Sequence, residues 1–505
     1  MTQTERVTAE QIYCEMYPEY CKEGLIFPRP AFTLNEMGLR PIHSEVKPNE
    51  ADLSVKIGPT ELKIALMSAA MDTLASDRMS IALSEVGACG IIYRTPDPQL
   101  QMEWLKNALS CKPMMIYDPV YLKPDDKIIE AEEIVRRYGH SIIPVIDDDK
   151  MLQGVLFTED IVFRVDGRRD EPAKKWMTPF KSLRTINVNA TLREVRKRIE
   201  NVKRCNILPA IDDDGRLHGA YFKVDFFKRN KVALHNERLL VGIATGVNEE
   251  DINDRVVPAL KMGVGIIVID SSHGNCPDVI NQAQKIVKLA NGQAAVVAGN
   301  IADVDGYLRL AEVGVDAVKF GIGSGSICTT SQVTGAGYPI FTLLREISYT
   351  RKLMQKREMH IPKVIADGGI NGPGDMSKAL AAGADACMAG KWLVGCTESL
   401  AYETYKAPEG YVYYRGMASL GAIKDRSSDR YGSTKKAAEG VEGKVPYRGN
   451  LKDWIFDDIE LLQGGFAHAG AKDITALQAF GEKPENWGPF SSNGQSQINT
   501  RVTLY

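Results

Sequence analysis

No stretch of this sequence is apolar for anything near the ~20 residues that a bilayer-crossing helix requires. The first residues, MTQTERVTAEQ, hold no apolar core of a signal peptide, and the last, NTRVTLY, show no standard anchor. These features predict a cytoplasmic protein that does not enter a membrane. Cysteine is sparse, nine in 505 residues, and no CxxC pair occurs. That excludes a disulfide framework or a zinc site and suits a reducing compartment. An excess of either charge is lacking too: the net charge of −3 gives no bulk attraction to nucleic acid or acidic lipid. A dinucleotide fingerprint is also missing. GIGSGS lacks the GxGxxG spacing, and no acidic residue follows at ~20 positions in a βαβ setting. What remains is an ordinary globular composition, 44% hydrophobic and 25% charged, long enough for two or more domains.

Within that composition the chain has a rhythm. Apolar runs at 64–67, 88–93, 240–244, 265–270, 294–298, 317–320, 363–366 and 386–389 read as strands. Helical patterns fall between them at 76–87, 250–262, 278–289, 304–313 and 375–382. The phrases KMGVGIIVIDSS, AEVGVDAVKFG and LAAGADACMAG share one form: helix end, glycine, then an apolar strand. About eight strand–helix units predict a (β/α)8 barrel, whose chemistry sits at the carboxyl ends of the strands. A doubly wound sheet is the alternative.

An internal repeat interrupts the rhythm between residues 113 and 230. HSIIPVIDDDKMLQGVLFTEDI (140–161) recurs as CNILPAIDDDGRLHGAYFKVDF (205–226), each copy preceded by a helical stretch. Such a repeat predicts two duplicated units packed on each other. The expected domains are therefore an arm and the first part of the barrel (1–112), the tandem repeat (113–230), and the rest of the barrel (231–505). Residues 1–30 carry no clear pattern.

Chemistry concentrates at the expected strand ends: Asp270-Ser271-Ser272, Gly299-Asn300, the loop Gly321 to Cys328, Asp367-Gly368-Gly369 and Gly390-Lys391. The stretch AVKFGIGSGSICTTSQVTGAGYP (317–339) places glycines at alternate positions before Cys328, with hydroxyls at Ser326, Thr329, Thr330 and Ser331. Such a backbone approaches a ligand closely, and a thiolate at its end is a nucleophile. A glycine-rich turn beside a structural cysteine has the same composition. At Asp367 a carboxylate can accept both hydroxyls of a ribose, while the Gly368 and Gly369 amides face a phosphate. KDRSSDRYGSTKKAAEGVEG (424–443) reads as a long polar loop.

From about Phe32 (FTLNEMGLRPIHSEV) to about Leu477, these motifs resemble the inosine-monophosphate dehydrogenase and guanosine-monophosphate reductase superfamily, whose GxGSxCTT loop carries the cysteine that bonds to the purine. The resemblance implies a covalent role for Cys328. It implies that Ser326, Asp367, Gly368, Gly369 and Gly390 hold ribose and phosphate, with Lys391 where many members have serine. Tyr414, Arg415, Gly416, Met417 and Ala418 match the segment that closes over phosphate and base, and Glu439 an acceptor facing the purine. NAD would be held by Asp270, Ser271, Ser272, Gly321, Ile322 and Gly323, with Asn300 and Lys319 as polar neighbours. Carbonyls of Gly323, Gly325 and Cys328 match a potassium site, completed in the family by a neighbouring subunit's C-terminal segment. A homotetramer or octamer is implied.

The loop at 424–443 resembles a flap whose Arg430 and Tyr431 activate water, with Thr330 as a hydroxyl relay. The repeats resemble a pair of CBS motifs, which bind adenine or guanine nucleotides through an aspartate such as Asp160 or Asp225. Lys223 and Val224 depart from the Thr158-type residue found before Asp160. The implied reaction is oxidation of IMP to XMP with NAD⁺ and water. The alternative is reduction of GMP: TGAGYP (334–339) is closer to the reductase pattern, whereas Leu420 stands where reductases carry glutamate.

Overall fold

The computed structural model describes residues 8–18, 21–22, 25–26, 30–117, 119–138, 142–157, 169–200, 207–223, 232–425 and 437–489. The chain divides into two compact units, Met1–Cys111 with Ala233–Tyr505, and Lys112–Val232.

The first unit is built on eight strands: β1 (Leu66–Ser68), β2 (Gly90–Ile92), β3 (Val241–Thr245), β4 (Ile266–Asp270), β5 (Ala295–Ile301), β6 (Ala317–Phe320), β7 (Lys363–Asp367) and β8 (Ala386–Ala389). All pair in parallel in the order β1-β8-β7-β6-β5-β4-β3-β2. A parallel bridge between Met67 and Cys89 joins β1 to β2, with Ser68 N donating to Cys89 O at 3.0 Å. The sheet thus closes on itself as the expected (β/α)8 barrel, and the doubly wound alternative is excluded. Closure leaves no edge strand, and the strands are almost wholly buried.

The repeated phrases have a structural cause. Gly263, Gly314 and Gly383 end the helices Val257–Met262, Val304–Val313 and Pro373–Ala382 at φ of 88°, 87° and 125°, where a side chain would be strained. The aspartates that follow the last two are clamps. Asp316 accepts from Val296 N at 2.8 Å, and Asp385 from Val364 N at 2.8 Å, each tying its own strand to the start of the preceding one.

Several elements differ from expectation. The helix expected at 250–262 contains a wider π-type turn at Ile252–Val256, which buries Arg255 against Asp251. β5 runs on to Ile301 because its register slips between Gly299 and Ile301, leaving Asn300 as an extra residue. The 17-residue helix Ile340–Lys356 lies between β6 and β7. The loop expected at 424–443 is shorter at its far end. Glu442 and Gly443 belong to a strand, Glu442–Pro446, paired antiparallel with Tyr411–Arg415. Near the start, Thr8 and Gln11 form a capping box for the helix Ala9–Met16. Cys14 in that helix is disulfide-bonded, a pairing that the spacing of the cysteines does not announce.

The second unit contains two antiparallel hairpins, Ile142–Ile146 with Leu152–Phe157 and Ile207–Ile211 with Leu217–Phe222. Helices Ile128–Tyr138 and Leu192–Glu200 precede them. Each DDD sequence is a turn closed by its first aspartate. Asp147 Oδ1 accepts from Asp149 N and Met151 N at 3.1 and 2.8 Å, and Asp212 Oδ1 from Asp214 N and Arg216 N at 3.1 and 2.9 Å. The halves share the apolar cluster Ile142, Val155, Ile207 and Ala220.

Candidate active site

At the carboxyl ends of the strands lies an open cleft of about 1040 Å³, its mouth included. β4 delivers Asp270, Ser271 and Ser272; β5 delivers Asn300; the loop after β6 delivers Gly321, Ile322, Gly323, Gly325, Ser326, Cys328 and Thr330. β7 supplies Asp367, Gly368 and Gly369, β8 Gly390 and Lys391, and the late hairpin and its continuation Tyr414, Gly416, Met417, Ala418 and Glu439. These residues, up to 169 positions apart in sequence, meet because parallel strands end on one face.

The loop after β6 can lie this close to β7 only as glycine. Gly321 has φ 135°, and a Cβ on it would fall 1.9 Å from the Asp367 carbonyl oxygen. Ser324 Oγ donates to that same oxygen at 2.7 Å, which fixes the loop on the end of β7. Further along, the Cys328 thiol donates to Thr330 Oγ1 at 3.2 Å, and Thr330 Oγ1 donates to Glu439 Oε2 at 3.1 Å. Backbone bonds stitch the two segments together: Thr329 N to Glu439 O at 2.9 Å, Val441 N to Ile327 O at 3.0 Å and Glu439 N to Ala418 O at 2.9 Å. A nucleophile, a hydroxyl and a carboxylate are thereby held in line on one wall.

The ends of β4, β6 and β7 bring charge to the same cleft. Lys319 Nζ, on a side chain only 2% exposed, lies 3.0 Å from Asp270 Oδ1 and 2.6 Å from Asp367 Oδ2, and also bonds Asn300 Oδ1. Burial alone would lower the Lys319 ammonium; the two carboxylates outweigh it and hold the group above its usual range. Asn300 Nδ2 donates to Asp367 Oδ2 at 3.0 Å and to Gly321 O at 2.7 Å. Tyr414 lines the cleft and hydrogen-bonds Ser326 and the Lys391 backbone. Burial pushes its phenol well up, against the lowering from the Ser326 hydrogen bond.

Arg415 is the exception among the expected binding residues. It does not line the cleft. Its guanidinium, 3% exposed, is spent on Asp72, with Nη2 and Nε at 2.6 and 3.0 Å from Oδ2, and on Asp425 at 2.8 Å. Burial lowers the guanidinium, and the Asp72 hydrogen bond and charge raise it well above its usual range. The residue therefore fastens the hairpin to the loop after β1. Arg430, Tyr431, Asp160, Asp225, Thr158 and Val224, and the C-terminal segment 491–500, lie outside the described residues.

Sequence reasoning missed Ala69, Ala70 and Met71, which line the cleft from the end of β1, and Ile370, Asn371 and Met388. The signal for the first three was available: SAAMDT directly follows an apolar strand, as the other site segments do.

Residues 31–486 match the family model described as IMP dehydrogenase / GMP reductase domain. An inosine-5′-monophosphate dehydrogenase of Aquifex aeolicus (strain VF5) is 39% identical over 466 residues, 90% of this chain and 92% of that protein. The enzyme of the same description from Bacillus subtilis (strain 168) is 34% identical over 471 residues, 91% and 92% of the two chains. Among solved structures, a GMP reductase from Trypanosoma brucei in complex with guanosine 5′-monophosphate superposes with TM-score 0.67 at 26% identity, covering 94% of this chain and 99% of that one.

Proposed function

This chain belongs to the IMP dehydrogenase / GMP reductase family, and from that membership we propose that it oxidises IMP to XMP with NAD⁺ and water. The observation that carries the proposal is the line Cys328–Thr330–Glu439 facing Asp367 across one cleft. A nucleoside monophosphate fits that arrangement. Asp367 accepts the ribose hydroxyls, while Ser326, Gly368, Gly369, Gly390 and Lys391 surround the phosphate. The purine then lies along Gly416, Met417 and Ala418 toward Glu439, whose carboxylate accepts a ring N–H. That orientation sets C2 of the base against Cys328.

Cys328, as thiolate, adds to C2. The C2 hydrogen leaves with its electron pair, and a thioimidate remains on the sulfur. Bound NAD⁺ would supply the acceptor for that hydride. Asp270, Ser271 and Ser272 would hold its ribose, and Gly321, Ile322, Gly323 and Asn300 would border its nicotinamide. Water then adds at C2, the C–S bond breaks, and XMP leaves with the thiol restored. Splitting oxidation and hydration at a covalent intermediate lowers each barrier. Thr330, between the sulfur and Glu439, orients the water and passes its proton along. Arg430 and Tyr431 complete water activation.

Neutral carbonyls of Gly323, Gly325 and Cys328 in one tight loop are hard donors that suit a monovalent cation such as K⁺ rather than a divalent one. Among the described residues no cluster of three or more His, Cys, Asp or Glu offers a metal site. Two helix-hairpin repeats sharing a core support reading 113–230 as a pair of CBS motifs that takes an adenine or guanine nucleotide and regulates the enzyme. The assembly is a homotetramer or octamer, and the site of action cytoplasmic. No helix among the described residues is long and apolar enough to cross a membrane.

Reduction of GMP is the second reading, favoured by TGAGYP and by the likeness to the Trypanosoma brucei reductase. Leu420, which is 59% exposed, offers no carboxylate where reductases carry one. One absorbance assay separates the readings: the dehydrogenase produces NADH from IMP and NAD⁺, whereas NADPH consumption with GMP and no NADH from IMP contradicts it.

A further inference from the structure

Three strands each bring one charge to a single buried point. β4 ends in Asp270, β6 carries Lys319 one residue before its end, and β7 ends in Asp367. The Lys319 ammonium has three protons to donate. Asp270 Oδ1 at 3.0 Å, Asp367 Oδ2 at 2.6 Å and Asn300 Oδ1 take all three. Lys319 therefore keeps no donor for a ligand, whereas an ionised carboxylate has about four lone-pair sites and Lys319 uses one on each. Both carboxylates lie within 3.0 Å of one nitrogen. Without it, two like charges would face each other in a part of the cleft largely shielded from water, and at least one would turn away. Asn300 cannot replace the ammonium, because its amide donates to Asp367 and to Gly321 O but makes only an acceptor contact toward this nitrogen.

We infer that Lys319 is a positioning residue that locks Asp367, on the substrate side, and Asp270, on the cofactor side, into one unit. Affinity for the substrate nucleotide then depends on a neighbouring carboxylate, Asp270, that the substrate never touches. The inference rests on the reading of Asp367 and Asp270 as ribose acceptors given above. It separates two roles for a buried lysine. A lysine kept for packing is replaceable by methionine, which preserves the apolar stem. A lysine kept for its charge is not, and its loss is repaired by removing one of the carboxylates it held apart.

The test measures IMP binding to the full-length enzyme by titration calorimetry without cofactor, for wild type, Lys319→Met and Lys319→Met/Asp270→Asn. NADH formation gives KM for NAD⁺, and thermal unfolding is followed in parallel. Lys319→Met should weaken IMP binding and raise KM for NAD⁺ by at least about tenfold each, with kcat changed less. Adding Asp270→Asn should then recover IMP affinity by at least about threefold, which a merely structural loss would not allow. If Lys319→Met does not fold, Lys319→Gln, alone and with Asp270→Asn, reads the same quantities. IMP affinity unchanged in the single variant, or no better in the double variant than in the single, overturns the inference. Wild-type enzyme that fails to bind IMP overturns the functional reading itself, a result that needs no variant and is thus distinguishable.

Discussion

Burial takes four of the six free cysteines among the described residues away from thiolate chemistry. It pushes the thiols of Cys89, Cys387 and Cys396 far above their usual range, and that of Cys111 up to about 11, with Glu85 and Asp77 adding to the last. Cys328 differs in place rather than in kind: it is half-buried on the cleft wall with a hydroxyl 3.2 Å away. The residue scale also predicts a pH effect. His235 is buried, and burial holds its imidazole below the ordinary value, against the raising effect of its bond to the Gln293 backbone. The unfolded chain takes up a proton as pH falls through ~6.5 while the folded chain does not, so stability present at neutral pH is lost on acidification. His235→Gln should flatten the fall in apparent Tm between about pH 7.5 and about pH 5.5. An unchanged slope would assign that fall to other groups.

At the scale of elements, strands were legible because each is a short apolar run, most of them ended by a small or polar residue, and the barrel followed from counting them. The site was legible for the same reason, since parallel strand ends must converge. What escaped the reading is set by contacts distant in sequence. The Asp72–Arg415 pair joins residues 343 positions apart, and nothing local tells that this arginine is spent on structure. The extra residue at Asn300 is equally invisible, because a slipped register needs a partner strand. The π-type turn at Ile252–Val256 has a cause only in three dimensions. It carries Arg255, 1% exposed, to Asp251 Oδ1 at 2.8 Å, Gln101 Oε1 at 2.7 Å and Thr95 O at 2.7 Å. Asp251 also takes Arg94 Nε at 3.0 Å, so one carboxylate balances two guanidiniums. Asp251→Ala should therefore cost about 3–5 kcal/mol, by leaving buried charge uncompensated. Asp254→Ala, on an exposed position of the same turn, should stay within about 0.5 kcal/mol. Denaturant midpoints of the two variants measure the contrast, and equal midpoints would contradict it.

For the whole molecule, the described residues that line the cleft all belong to one unit. Residues from Lys112 to Val232 form a unit of their own, and none of them lines the cleft. Replacing them by a short linker between Cys111 and Ala233 should leave kcat within about fivefold, since a domain with its own core is separable from its neighbour. A variant that is folded by circular dichroism yet inactive would show that the unit takes part in catalysis. The central claim concerns the barrel unit alone: one sulfur, held at the end of β6, carries the purine between oxidation and hydration. It is tested most directly by acid-quenching the enzyme during turnover of IMP with NAD⁺ and locating the added mass by peptide mass spectrometry. The account requires a purine nucleotide adduct on the peptide that contains Cys328, absent when NAD⁺ is omitted. Turnover with no adduct, or an adduct on another residue, would contradict it.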